Sequence, residues 1–136
     1  MDFPEKAKLL EIPMEDFAYI GDAVYELYAR QICLLKYKVK PAKLHSIVIK
    51  YVNAKFQAAS IDRLDAILTN EERDILRRGR NANPGTKAKN ASIIEYRLAS
   101  ALETLIGYVY MSQDFARVDE LMREIFKEIG SEDGCE

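Results

Sequence analysis

Two carboxylates, each close to a glycine in a stretch of helical pattern, are the residues best suited to chemistry in this sequence. Asp22 directly follows Gly21 in AYIGDAVYEL, and Glu103 stands four residues before Gly107 in ASALETLIGYVY. A glycine inside a helix costs about 1 kcal/mol relative to alanine, and neither glycine stands at a plausible helix end. Close approach of another backbone would offset that cost. We therefore expect the two small-residue faces to cross and to bring Asp22 and Glu103 together.

A pair of facing carboxylates is a candidate metal site. Like charges at short distance repel one another unless a proton or a cation lies between them. Carboxylate oxygens are hard ligands that favour Mg²⁺ or Mn²⁺. Glu26, one helical turn after Asp22, could widen the site, but it is also placed for an ordinary ion pair with Arg30. The sequence leaves two interpretations of Asp22 and Glu103, a divalent-cation site or exposed acids on helix surfaces.

Other common kinds of site find little support in the sequence. His45 is the only histidine, so the chain has neither two imidazoles for metal-free RNA cleavage nor an HExxH zinc motif. The stretch GRNANPGTK differs from a phosphate-binding loop, because its glycines are one residue too far apart and threonine precedes lysine. Two cysteines cannot make a disulfide framework. We expect Cys33, in an apolar stretch, to be a core residue and Cys135 to be exposed.

The charged residues are segregated along the chain. The 136 residues include 20 Lys and Arg against 22 Asp and Glu, a formal net charge of −2. Residues 27–61 contain seven basic residues and no acid, and residues 77–94 contain five basic residues and no acid. Blocks of one sign create a local field that attracts a polyanion whatever the net charge. The simpler interpretation is that each block is a solvated helix face.

Hydrophobic residues recur at helical spacing through nearly the whole chain, and no alternating run bounded by turn residues predicts a strand. We expect an all-α helical bundle of one domain over residues 1–136, with residues 131–136 as a frayed tail. No apolar stretch approaches the length of about 20 residues that spans a membrane, and signal-peptide features are missing, so we expect a soluble cytoplasmic protein. The predicted helices begin after Pro13, at Pro41, after Asp62, at Thr69 or Asn70, at Asn90 or Ser92, and near Asp114.

Three details of these helices bear on the candidate site. The first helix is predicted to bury a stripe that includes Ile20, Val24 and Leu27. The fourth helix has acids in its first turn and arginines in its last, and it is predicted to end at Gly79. The stretch RNANPGTKAKN, residues 80–90, has the composition of an exposed loop.

The motifs that hold the two carboxylates resemble those of the ribonuclease III family. EDFAYIGDAVYEL resembles its signature helix, and ASALETLIGYVY resembles its second acidic motif, with about 80 residues between them as in that family. The intervening RRGRNANPGTKAKN, followed by YRLAS, resembles the short branch called mini-ribonuclease III, which lacks a separate double-stranded-RNA-binding domain. The resemblance spans essentially the whole chain and implies a ribonuclease III-type endonuclease domain.

The resemblance also implies an activity and a catalytic site. Members of the family are endoribonucleases that cleave double-stranded RNA by Mg²⁺-assisted hydrolysis, with Mn²⁺ able to substitute, and leave 5′-phosphate and 3′-hydroxyl ends. The implied role of the short branch is maturation of the 23S ribosomal RNA precursor. Asp22 and Glu103 match the catalytic and metal-binding acids of the two motifs, and Glu15 falls on an upstream acid. The family has acids where this chain has Ala18 and Ser100, which leaves the number of metal ions open.

Implied partners follow from the same resemblance. They are double-stranded RNA, held through its phosphates and 2′-hydroxyls, and a second copy of the chain, so that one site faces each strand. No membrane association is expected, and the need for a ribosomal-protein partner is left open. The residues expected at these surfaces are Arg77, Arg78, Arg80, Lys87 and Lys89 for RNA, and Phe17, Tyr19 and Ile20 for the homodimer interface.

Two other functions remain open on the sequence alone. The missing acids at positions 18 and 100 are also compatible with a catalytically silent domain that binds double-stranded RNA or acts in ribosome assembly. The third hypothesis is a helical dimer that binds a protein partner and has no role on RNA.

Overall fold

A computed structural model describes residues 2–82 and 92–131, which contain helices and no strand. The predicted all-α class is therefore confirmed for these ranges. None of their helices is both long enough and apolar enough to cross a membrane. A 3₁₀ helix, Lys6–Glu11, precedes six α-helices: α1 (Met14–Tyr37), α2 (Pro41–Val48), α3 (Ala54–Leu64), α4 (Asn70–Ala82), α5 (Ile93–Met111) and α6 (Phe115–Ser131).

Helix α5 is the central element of the bundle. It begins with a capping box, in which the Ser92 side chain accepts a hydrogen bond from the Glu95 amide and the Glu95 carboxylate accepts one from the Ser92 amide. Its second half is buried on almost every side, which is the pattern of a helix enclosed by other helices. Helices α1, α3, α4 and α6 all pack against it. Residues that project from α5 therefore meet side chains from several parts of the chain.

The crossing of α1 and α5 is a direct contact of two backbones. A Cβ atom added to Gly21 would lie 1.7 Å from the carbonyl oxygen of Glu103, and one added to Gly107 would lie 1.8 Å from the carbonyl oxygen of Phe17. No side chain fits in either place, because real Cβ atoms do not approach other atoms within 3.0 Å. The crossing predicted from these two glycines is confirmed.

The buried stripe of α1 differs from the predicted one. The residues that are buried recur at every fourth position, whereas Leu27 is 63% exposed and Val24 is only partly buried. The leucine pattern was misleading because the glycine contact turns the small-residue face of α1 toward α5. Cys33 is fully buried, as predicted. The stripe consists of Phe17, Gly21, Tyr25, Ala29 and Cys33.

The third helix was predicted in the wrong place. It begins eight residues before Asp62 and ends at Leu64, because the Asn53 side chain accepts a hydrogen bond from the Phe56 amide at 2.9 Å and so starts α3 at Ala54. Helix α6 begins next to Asp114, as predicted. Its buried face contains Val118, Leu121, Met122, Ile125 and Ile129, at helical spacing.

Helix α4 begins as predicted but ends later. The Thr69 hydroxyl accepts a hydrogen bond from the Glu72 amide at 3.1 Å, and the Glu72 carboxylate accepts one from the Thr69 amide at 2.9 Å. The predicted end at Gly79 is wrong, because the helix continues to Ala82. Gly79 is a packing residue here, since a Cβ at that position would lie 2.6 Å from the Cβ of Thr104.

The first testable prediction concerns the glycine crossing. Gly21→Ala should lower the free energy of unfolding by about 3 kcal/mol or more, at the upper end of overpacking costs, because α1 and α5 must separate. Urea unfolding followed by circular dichroism measures the change. Ala23→Gly, at an exposed position of α1, is the control and should cost only about 1 kcal/mol. A Gly21→Ala protein as stable as the wild type would contradict the backbone contact.

Candidate active site

The helix crossing places Asp22 and Glu103 side by side. Asp22 follows the glycine of α1 that abuts the backbone of Glu103 on α5. The two carboxyl groups are hydrogen-bond partners when Glu103 carries a proton. These acids lie 81 positions apart in the sequence, and the contact between their helices alone brings them together. The pair that the sequence singled out is therefore a spatial pair.

Burial makes the two acids unequal. Asp22 is exposed, whereas Glu103 is only partly accessible and its carboxyl group is enclosed by protein. Burial raises the pKa of Glu103 to about 8, and the nearby charge of Asp22 and a hydrogen bond to it act in the same direction. A proton or a cation is thus needed to hold the two carboxylates together at neutral pH.

A glutamine on α3 completes the surroundings of Glu103. Gln57 donates a hydrogen bond from Nε2 to Oε2 of Glu103 at 3.2 Å, and only 4% of its surface is exposed. This bond favours the ionised carboxylate and partly opposes the rise in its pKa. Sequence reasoning missed Gln57. The available signal was a polar residue on the apolar face of α3, which could be recognised only once that helix was correctly placed.

The other acids near the crossing do not join the pair. Glu26 forms an exposed ion pair with Arg30, which is the ordinary i,i+4 interpretation. Glu15 is exposed in the first turn of α1. Over residues 2–82 and 92–131 there is no cluster of three or more His, Cys, Asp or Glu side chains that could hold a metal ion.

Two carboxylates are nonetheless a donor set that suits Mg²⁺. This ion is commonly bound by one or two carboxylates, and water and substrate phosphates fill the other positions. Asp22 opens onto a groove of about 460 Å³ along α1, whose lining also includes Tyr19, Glu26 and Arg30. A phosphate and its water shell therefore have room beside the exposed acid of the pair.

Three of the five predicted RNA-binding residues lie in the second half of α4. Arg77 and Arg80 are exposed, Arg78 is partly exposed, and Asp74 forms ion pairs with Arg77 and Arg78. Gly79, within this arginine segment, packs on Thr104, which is the neighbour of Glu103 on α5. The fold thus joins the arginine segment to the helix that bears the buried acid. Lys87 and Lys89 lie outside the described residues.

Of the three residues predicted for a dimer interface, Phe17 does not fit, because it is buried within the single chain. Its side chain is 1% exposed within the single chain and makes an edge-to-face contact with Tyr108, with ring centroids 5.4 Å apart. It therefore has no surface to offer a second chain. Tyr19 is 81% exposed, and Ile20 is partly exposed beside an apolar groove of about 610 Å³ that also contains Leu27.

Comparison with known proteins agrees with the motifs. The model of the ribonuclease III domain family matches residues 15–114. The mini-ribonuclease 3 of Staphylococcus aureus is 46% identical over 110 residues, which are 79% of this chain and 82% of that protein. The mini-ribonuclease 3 of Streptococcus pneumoniae is 43% identical over 107 residues, 77% of this chain and 84% of that protein. The crystal structure of protein FN1578 from Fusobacterium nucleatum superposes with a TM-score of 0.79 at 26% identity, covering 89% of this chain and 97% of that one.

The raised pKa of Glu103 predicts a pH dependence of stability. Between pH about 4.5 and pH about 8 the folded chain keeps a proton that the unfolded chain releases, so the free energy of unfolding should fall as the pH rises through this range without divalent ions. Glu103→Gln should remove this fall and make the metal-free protein more stable than the wild type at pH 8. Urea unfolding in a chelator at several pH values measures it.

The Glu26→Gln variant, on the surface of α1, is the control for this experiment and should keep the wild-type pH dependence. Equal pH dependence of the wild type and the Glu103→Gln protein would rule out the burial of a shared proton at this site.

Proposed function

Because the chain belongs to the ribonuclease III family, in the mini-ribonuclease III branch, we propose that it is a Mg²⁺-dependent endoribonuclease specific for double-stranded RNA. The observation that carries the proposal is the contact of Asp22 with a buried Glu103 whose pKa is raised to about 8. A strongly raised pKa next to an acid that lines a groove is characteristic of functional sites. Membership of the family argues against the hypothesis of a partner-binding module with no role on RNA.

Asp22 and Glu103 are the residues that would hold the metal, and Mn²⁺ can take the same oxygen ligands. Bound there, Mg²⁺ would supply an acidified water for in-line attack on a phosphodiester and would offset charge on the leaving oxygen. The exposed carboxylate of Asp22 faces the groove, where a scissile phosphate would lie. The enclosed carboxylate of Glu103 keeps a fixed position, because α1, α3 and α5 surround it. The proposed products carry 5′-phosphate and 3′-hydroxyl ends.

The duplex would be held by the basic segment that begins in the second half of α4. Arg77, Arg78 and Arg80 present guanidinium groups at one end of the helix, and Lys87 and Lys89 continue the same positive segment in the sequence. Contacts of this kind go to phosphates and 2′-hydroxyls and read the shape of an RNA duplex more than its sequence. The 23S ribosomal RNA precursor is the proposed substrate, which would place the protein in the cytoplasm beside ribosomal proteins.

A homodimer would bring one site to each strand of the duplex. The apolar groove beside Ile20 and Leu27, together with the exposed ring of Tyr19, supplies a surface for the second copy. Contiguous apolar surface of this kind marks an interaction site on a protein. We propose that residues 1–136 make a single catalytic domain and that two such domains form the active unit.

One observation favours a second candidate function. Only two acids meet at the site within the described ranges, since Ala18 and Ser100 stand where the family has carboxylates. A domain with too few metal ligands would bind double-stranded RNA, or assist ribosome assembly, without cutting. Incubation of the wild type with duplex RNA over a range of Mg²⁺ and Mn²⁺ concentrations separates the two, because the silent domain binds the duplex and leaves it intact.

Removal of one acid tests the catalytic proposal. Asp22→Asn should reduce cleavage of duplex RNA by on the order of a hundredfold or more, because a neutral amide no longer balances a cation at the reacting phosphate. Single-turnover cleavage of a labelled duplex in Mg²⁺ measures the rate. Asp16→Asn is the matched control, since Asp16 is exposed in the first turn of the same helix and should leave the rate unchanged. Near wild-type cleavage by the Asp22→Asn protein would contradict the proposal.

Neutralisation of the α4 arginines tests the RNA contact. Replacement of Arg77, Arg78 and Arg80 by Gln should weaken duplex binding and reduce the slope of log affinity against log salt by about three, because each arginine would neutralise one phosphate. Binding is measured by fluorescence anisotropy in a chelator, so that no cleavage occurs. Arg123→Gln with Lys127→Gln, on the exposed face of α6, is the control. Unchanged affinity would assign the contact to the basic residues of segment 27–61.

A further inference from the structure

Gln57 is a buried polar residue that the proposed mechanism does not yet use. It is the fourth residue of α3, 4% of its surface is exposed, and its amide reaches Glu103 across 46 positions of sequence. Burial of an amide is unfavourable unless its polar atoms find partners. An apolar residue of similar size would fill the same space without that requirement. The hydrogen bond to Glu103 is the evident reason for a glutamine here.

Helix α3 holds this glutamine in a fixed place. The Asn53 cap starts the helix four residues before Gln57, and the ring of Phe56 stacks on Phe126 with centroids 6.0 Å apart. Ser60, one turn further on, is also buried, but its hydroxyl donates to the carbonyl oxygen of Phe56 within the same helix. Gln57 is therefore the member of this face that reaches across to α5. A donor on a packed helix holds its acceptor more firmly than one on a loop.

The bond leaves most of the carboxylate of Glu103 available. An ionised carboxylate can accept about four hydrogen bonds or ligand contacts, and Gln57 occupies one of them, on Oε2. The remaining positions can face Asp22 and a cation.

We propose that Gln57 is a positioning residue that holds the carboxylate of Glu103 in the orientation needed to bind Mg²⁺ together with Asp22. The need for such a residue follows from the small number of ligands. Ala18 and Ser100 stand beside the crossing, and no third acid of the described ranges joins the pair. The affinity for the ion therefore depends more strongly on the orientation of the two carboxylates. Groups that orient a metal ligand typically contribute 10- to 100-fold to metal affinity. This inference rests on the proposed endoribonuclease function.

The experiment compares Gln57→Met with the wild type. Methionine keeps the length and approximate volume of the side chain and removes its donor. The Mg²⁺ concentration that gives half-maximal cleavage should rise about tenfold or more, while kcat at saturating Mg²⁺ stays close to that of the wild type. In the absence of RNA, the rise in Tm that the wild type shows on addition of Mg²⁺ should shrink in the variant. Gln57→Leu is a second variant in case the first does not fold.

Ser60→Ala is the matched control, because it alters a buried polar residue of α3 whose hydroxyl bonds within its own helix. It should leave the Mg²⁺ dependence unchanged. A folded Gln57→Met protein with the wild-type Mg²⁺ dependence would overturn the positioning role. So would a loss of kcat at every Mg²⁺ concentration with the same half-saturation point, since that is the result of a structural defect. If the wild type itself cleaves no duplex at any Mg²⁺ concentration, the proposed function fails first.

Discussion

The contact of two bare backbones at Gly21 and Gly107 is the constraint on which the rest of this structure depends. It lets α1 lie closer to α5 than any side chain would allow, and α5 is the helix around which the bundle is built. Asp22 and the peptide of Glu103 are at this contact, so the same approach that closes the core also assembles the acid pair. Stability and site are thus two results of one packing event.

The packing of these helices places two acids of similar chemistry in different environments. Asp22 stays at the surface, whereas Glu103 is enclosed by α1, α3 and α5. The enclosed acid resists ionisation, and its surroundings offer a neighbouring carboxylate and an amide donor. The fold therefore carries an unfavourable charge arrangement that the packing of the bundle offsets. Arrangements of this kind are stored at sites where a ligand relieves them.

Much of the fold could be predicted because its signals are local. Helix starts were visible where a hydroxyl stands three residues before a carboxylate, at Thr69 and Ser92, and the crossing was visible because an unexplained glycine in a helix needs a partner. Errors arose where tertiary contact outweighs local preference. Gly79 resembled a helix end but packs on Thr104, and the leucines of α1 lie outside a stripe made mostly of smaller residues. The role of Gln57 could be recognised only with α3 correctly placed, since it exists only where α3 and α5 meet.

The two glycines of the crossing should behave as one site in mutagenesis, because they meet at one contact. A side chain added at Gly21 and one added at Gly107 would each press on the opposite helix at the same contact. Once the first has forced the helices apart, the second meets less resistance, so their effects on stability should be strongly non-additive. Neither helix can gain a side chain here in small steps while Asp22 stays beside Glu103. Any side chain added at this contact therefore moves the two helices, and with them the two acids, apart.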